Sequence, residues 1–239
     1  MEEIIKGLHL LKLPGMAGCW TSLDETHQLN KLSLRAGLEL LVQAEKAARH
    51  SNRIAKLIKD ARFRDKACIE ELDMDNARGI DAGEVARLGT CEYIKNGIPV
   101  LITGACGCGK SFLAAALCDK ACRMGYHVCY YNMQKLLDAI KLARMEGHEM
   151  HFFDKLIKCD LLILDDFGMK KLEGQQQNDF EQIIDDRYNR KSLIIVSQLP
   201  IADWYDVINN ELIAEACLDR IVHKAVRFEL KGDSLRKKY

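Results

Sequence analysis

The sequence predicts a three-layer α/β core over residues 97–239, built on a mostly parallel five-stranded sheet and preceded by a small all-helical N-terminal region. Two observations carry that reading. Before Asn96–Pro99 apolar residues recur at helical spacing, as at Leu34, Leu38, Leu41 and Val42, whereas after it short apolar runs alternate with helical stretches. The strand candidates are Ile98–Thr103, Tyr126–Tyr131, Leu161–Asp165, Ser192–Ser197 and Ala225–Leu230. Strands that alternate with helices need crossover connections, which give a mainly parallel sheet with helices on both faces.

In chain order, helices are expected near 2–13, 33–60 and 82–95, with Ser51 a candidate break in the second. Ser22-Leu-Asp-Glu25 and Asp81-Ala-Gly-Glu84 have the form of capping boxes, a cap oxygen reciprocated by a glutamate three residues on. Leu72–Gly83, with Asp, Asn and two Gly, lacks periodicity and reads as a linker. The expected division is a helical region at 1–71, a linker and lead-in helix at 72–96, and the α/β core at 97–239.

Composition narrows the class. Hydrophobic residues make up 48% of the 239 and charged residues 29%, with three prolines, which fits a globular chain and excludes disorder. The formal net charge is zero, so a basic surface must arise from local segregation. Ten cysteines occur without a single CxxC, so zinc spacing is missing and buried free thiols are the expectation. Met1–Leu10 carries acids and lacks a long apolar stretch, so a reduced, cytosolic protein is expected. The apolar runs are strand-sized, too short to span a bilayer, and no membrane association is expected.

The strand candidate Ile98–Thr103 runs into Gly104-Ala105-Cys106-Gly107-Cys108-Gly109-Lys110-Ser111 and then a helix from Phe112, so GxxxxGK[ST] stands in a strand–loop–helix context. Gly104–Phe112 are therefore the candidate ATP-binding residues. Glycines let backbone N–H groups curl around a polyphosphate, Lys110 reaches the terminal phosphates, and the Ser111 hydroxyl ligates magnesium. A dinucleotide fingerprint beginning at Gly107 would need glycine at Phe112, which disfavours a nicotinamide enzyme. Cys106 and Cys108 stand at variable loop positions, where small space-filling side chains are the simpler reading and a redox role the other.

Leu161-Leu-Ile-Leu-Asp165-Asp166 is an apolar run ending in two carboxylates. Asp165 is the candidate magnesium ligand and Asp166 the candidate general base for the attacking water, which predicts ATP hydrolysis. Gln198, at the end of the run Ser192–Ser197, is either a hydrogen-bond donor to the γ-phosphate or lytic water, or an ordinary polar strand end. By pattern alone Arg220 and Arg236 read as surface ion-pair partners.

These residues, with Leu11–Met16, Ala77-Arg-Gly-Ile-Asp81, Asp186-Arg-Tyr188, Ser197-Gln-Leu-Pro200, Leu218–His223 and Glu229–Lys237, resemble the IstB family of transposition helper ATPases, close to the DnaC helicase loaders. The resemblance implies a P-loop AAA+ core, a helical region 1–71 that binds DNA or the transposase, and an ATP-dependent homo-oligomer on double-stranded DNA, with ATP sites at subunit interfaces, that selects or remodels target DNA and stimulates a cognate transposase. It implies a sensor I position for Gln198, an arginine finger acting on a neighbour's ATP for Arg220, and a sensor II-like position for Arg236. Gln198 departs from the asparagine common at its position, and the chain ends before a full helical lid. Rivals are a helicase loader, a small-molecule P-loop kinase and a nucleotide-switched adaptor with little hydrolysis.

One DNA signal stands without the family. Between Lys46 and Lys66 eight Lys or Arg face only Asp60 and Asp65, a local charge of +6, and Lys46, Arg49, Arg53 and Lys56, followed by Lys59, keep helical spacing. The stripe reads as DNA-facing or as a solvated helix face. With few aromatics in it, phosphate contact is the expected mode of binding.

Overall fold

A computed structural model of the chain describes residues 2–63, 67–74 and 76–235. It has two compact units, 1–56 and 57–239. The first holds α1 (Glu2–Leu10), α2 (Pro14–Glu25) and most of α3 (Leu34–Ala61). The helix expected over 2–13 ends early, because the residue before Pro14 is pushed out of the helical region and Pro14 itself opens a new helix. Ser22 therefore lies in the last turn of α2, where its carbonyl accepts the Thr26 hydroxyl at 2.7 Å, and is not a helix start. The start of α2 is capped from a distance: the buried Glu45 carboxylate accepts Gly15 N–H at 2.8 Å and Met16 N–H at 3.2 Å. Arg49 bridges the same carboxylate at 2.8 Å and, with these N–H groups, holds its pKa below the usual range against the opposing effect of burial. Helix α3 continues through Ser51 without a break. Its residues Leu34, Leu38 and Leu41 line, with Trp20 and Leu23, an open hollow of about 320 Å³, so the apolar spacing marks the helix without closing a core.

In the second unit Asp81 caps α4 (Ala82–Gly89) as its box predicts, accepting Glu84 N–H at 2.9 Å. The expected single helix 82–95 breaks where Cys91 takes a left-handed φ of 60°, and it restarts as α5 (Glu92–Lys95). The strands are β1 (Val100–Gly104), β2 (Val128–Asn132), β3 (Leu161–Phe167), β4 (Ser192–Ser197) and β5 (Val226–Leu230). They form one sheet in the order β2-β3-β4-β1-β5, with every neighbouring pair parallel. Between them run α6 (Lys110–Arg123), α7 (Met133–Met145), α8 (Glu149–Lys158), α9 (Gln175–Arg187), α10 (Trp204–Ile208) and α11 (Glu211–Val222).

Alternate strand residues point to opposite faces, and the core divides accordingly. Val100, Ile102, Ile163, Ile194 and Val196 pack with Val85, Leu88, Leu113 and Leu117 of α4 and α6. Leu101, Leu162, Leu164, Leu193 and Ile195 pack with Leu136, Phe180, Trp204 and Ile221 of α7, α9, α10 and α11. Each such side chain contributes roughly 1.5–3 kcal/mol by leaving water. The order also sets the site: β4 lies between β1 and β3, so the loops leaving β1 and β3 open onto one edge, the usual ligand edge of a parallel sheet.

Candidate nucleotide site

The loop after β1 turns on glycines and enters α6 at Lys110. Gly107 has φ 83°, and a Cβ there would overlap the Ser234 hydroxyl, so only glycine keeps this path. No side chain caps the first turn of α6, whose N–H groups and positive dipole end are left for an anion. Lys110 is buried and its Nζ donates to Ala105 O at 2.7 Å, which lays the ammonium across the mouth of the loop. Cys108 is buried with its sulfur 4.0 Å from that ammonium, while Cys106 is exposed. Phe112 packs against the core on the α4 and α6 face.

Ser111 on α6 meets β3: its Oγ donates to Asp165 Oδ1 at 3.3 Å. The buried Asp165 carboxylate also accepts the Tyr130 hydroxyl at 2.5 Å and Asp166 N–H at 2.9 Å. A cradle turned on glycines, a lysine spanning it and a hydroxyl beside a carboxylate are the donor set for a polyphosphate with a divalent cation. The residues fit ATP and magnesium.

The two carboxylates do not end the strand, as their place after the apolar run suggests; β3 continues to Phe167. Leu164 pairs with Ile195 and Phe167 with Ser197, so β3 carries one extra residue at this point. That bulge places Asp166 at a left-handed φ of 59°, a strained conformation for a residue with a Cβ. Bulges of this kind redirect a side chain. Asp166 is turned so that Oδ2 accepts Asn132 Nδ2 at 2.7 Å, while Asn132 Oδ1 caps α7 through Lys135 N–H at 3.3 Å. Neither Asn132 nor Tyr130 stands in a motif; the one signal in the sequence is an asparagine between the Tyr126–Tyr131 run and a helical stretch.

Gln198 follows β4, between the strands of the phosphate loop and of Asp165, but its amide donates to Met169 Sδ at 3.4 Å and does not reach Asp166. Arg220 lies elsewhere. It lines a cleft with Gly97, Pro99 and Lys191, at the beginnings of β1 and β4, and contacts Asp185 at 3.3 Å and the Tyr188 ring at 6.0 Å. Arg236 falls outside the described residues, as do Arg64 and Lys66 of the basic run. Lys46, Arg49, Arg53, Lys56 and Lys59 are all exposed on α3. At about 100° per residue the first four fall within about 80° of arc.

Sheet order, phosphate loop and the Asp165 strand define a P-loop nucleotide-binding protein of AAA+ fold. The chain belongs to the family of IstB-like ATP binding proteins, whose model matches residues 7–239. It is 37% identical over 230 residues to the insertion sequence ATP-binding protein y4pL of Sinorhizobium fredii, covering 96% of this chain and 94% of that one. It is 28% identical to the insertion sequence IS21 ATP-binding protein of Pseudomonas aeruginosa, covering 100% and 90%. Among solved structures the DnaC helicase loader aligns with TM-score 0.55 at 18% identity, over 77% of this chain and 99% of that one. AMPPCP-bound DnaA from Aquifex aeolicus aligns with TM-score 0.59 at 22% identity, over 74% and 54%. At such identity these two likenesses speak for the fold. Among the described residues no helix is long and apolar enough to cross a membrane.

Proposed function

We propose that the protein is the ATP-hydrolysing, DNA-binding helper of a transposition system, working with a transposase as a homo-oligomer. The observation that carries the catalytic part is the meeting of Ser111, Asp165 and Asp166 at one sheet edge, in a chain whose relatives are named insertion sequence ATP-binding proteins. Lys110 and the loop N–H groups hold the phosphates, Ser111 and Asp165 hold magnesium, and Asp166 takes the proton of the attacking water. Magnesium, when bound, neutralises charge on the phosphate oxygens. Gln198 orients groups at the neighbouring strand end. Arg220 sits at the opposite sheet edge from its own phosphate loop, which supports a role on a neighbour's ATP and not on its own.

The Asn132 bond to Asp166 favours a second reading, a nucleotide-switched adaptor with little turnover, because a carboxylate held this way is withdrawn from base duty. ATPase activity with and without duplex DNA separates the two. Turnover that rises with DNA supports the first, and binding without turnover in either condition the second.

The exposed stripe on α3 supports nonspecific duplex binding, with one refinement. Arg49 is tied to Glu45, so its removal disturbs the cap of α2 as well as charge. Arg53, Lys56 and Lys59 are the cleaner targets. Replacing them with alanine is expected to weaken binding on unrelated sequences alike and to lower the salt slope of log K by about one unit per lost phosphate contact. An unchanged slope would make the stripe a solvated face.

A further inference from the structure

The residues that shape the phosphate loop include one that belongs to no part of the nucleotide motif. Arg78, in the linker before α4, reaches across to the loop: one guanidinium nitrogen donates to Cys108 O at 3.4 Å and another to Asp73 at 3.3 Å. The side chain is only 16% exposed. Its own carbonyl accepts Lys231 N–H at 2.9 Å, next to the end of β5, and the following residue is packed so closely on β5 that a Cβ on Gly79 would overlap Glu229 O. The segment after β5 then returns to the loop, where Leu235 N–H donates to Gly107 O at 3.0 Å.

Two successive loop carbonyls, Gly107 O and Cys108 O, are thus held from outside by different stretches of chain. In a trans peptide the N–H points opposite to the C=O. Fixing Cys108 O outward therefore aims Gly109 N–H toward the concave side, where such a nest binds an anion.

We infer that Arg78 is a positioning residue for the phosphate loop, setting affinity for the polyphosphate by orienting the Cys108–Gly109 peptide and making it depend on the order of the linker. This rests on the reading of Gly104–Ser111 as the ATP site. The Arg78 bond to Cys108 O, at 3.4 Å, is longer than the usual N–H···O bond. A bond of this kind that shortens as the loop wraps a phosphate stabilises the bound state more than the free one.

The test compares wild type, Arg78→Ala, Arg78→Lys and Lys110→Ala by calorimetric titration with ATP and ADP, and by melting temperature with and without each nucleotide. Arg78→Ala is expected to lose about tenfold in affinity for both nucleotides, the loss of one charge-assisted hydrogen bond. Its melting temperature without nucleotide should stay close to wild type while the increment given by nucleotide shrinks. Arg78→Lys should recover part of the loss, since one ammonium cannot span Asp73 and Cys108 O as the guanidinium does. Should Arg78→Ala fold poorly, Asp73→Asn, which frees the guanidinium without removing it, is expected to lower affinity about threefold. Wild-type affinity in these variants overturns the inference, as does a lower nucleotide-free melting temperature with an unchanged increment, which would make the contact merely structural. If wild type and Lys110→Ala bind ATP equally, the ATP site itself has been misread, and that result is distinct from the others.

Discussion

The two edges of the central sheet treat polar groups in opposite ways. At the edge where the strands begin, Arg187 is buried and donates to the carbonyls of Leu156, Cys159, Asp160 and Ser192 at 2.5–3.3 Å. Beside it Asp160 accepts Lys191 at 2.6 Å and His127 N–H at 3.0 Å, tying the starts of β2, β3 and β4 together. At the edge where the strands end, Lys110 rests on one loop carbonyl, the first turn of α6 has no side-chain cap, and Asp166 is strained. The first edge is densely bonded, although His127 Nδ1 is buried there without a partner, and the second holds capacity in reserve. A dense network fixes strand positions, whereas donors left without strong partners are what a ligand can use.

The comparison predicts that damage at the second edge costs function and damage at the first costs stability. The largest effect is expected where a subunit acts on its neighbour. Arg220→Ala should bind nucleotide almost normally yet lose about 10³-fold or more in assembly-dependent hydrolysis, and Lys110→Ala should lose ATP binding altogether. Mixed, the two variants should regain activity; failure to complement while both still assemble would argue against action in trans. Arg220 is also the residue that strains the comparison, since it lies on the densely bonded edge and is the one proposed for chemistry.

Next comes Asp166→Asn, expected to bind ATP but turn it over about 10²–10⁴-fold more slowly, in the range of a lost general base. Full turnover would remove Asp166 as the base. Arg187→Ala should leave several buried carbonyls unpaired at about 1–3 kcal/mol each, lowering the melting temperature by many degrees. ATP affinity below the transition should hold; if it falls with little loss of stability, the two edges are not separate in function.

The smallest effect concerns pH. Burial works to raise the Asp160 carboxyl, but Lys191 and the His127 N–H outweigh it and bring the pKa below its ordinary value. A depressed folded pKa gives stability that is present above the unfolded value, about 3.9, and is lost as pH falls through the folded one. Wild type should therefore melt above Asp160→Asn near neutrality, with the gap closing below about pH 4. A constant gap across that range would show that the carboxylate charge is not what matters.

What was legible in the sequence was periodic or contiguous. Apolar runs located all five strands to within about two residues, as boundary reading normally allows, and the phosphate loop declared itself through adjacent residues. Distant pairing was not legible. Helix α2 was missed because its cap comes from Glu45, thirty positions away from Gly15. Asn132 and Tyr130 stand in no motif, and Arg78 stands in one, Ala77–Asp81, that gives it no role, because each reaches the site only through the fold: the first two by the pairing of β2 with β3, the third by the Arg78 and Lys231 contact. The bulge at Asp165–Asp166 needs the register against β4, which a single strand does not contain.

Strand order also has a consequence for how the chain is made. β1 carries the phosphate loop, yet both its neighbours, β4 and β5, come much later in the sequence. On the ribosome, residues 100–104 emerge with two unpaired edges and stay so until 192–197 and then 226–230 follow. At about 5–20 residues per second that interval lasts on the order of ten seconds. Through it an apolar run, Val100-Leu-Ile, has neither neighbour and is open to the wrong partners.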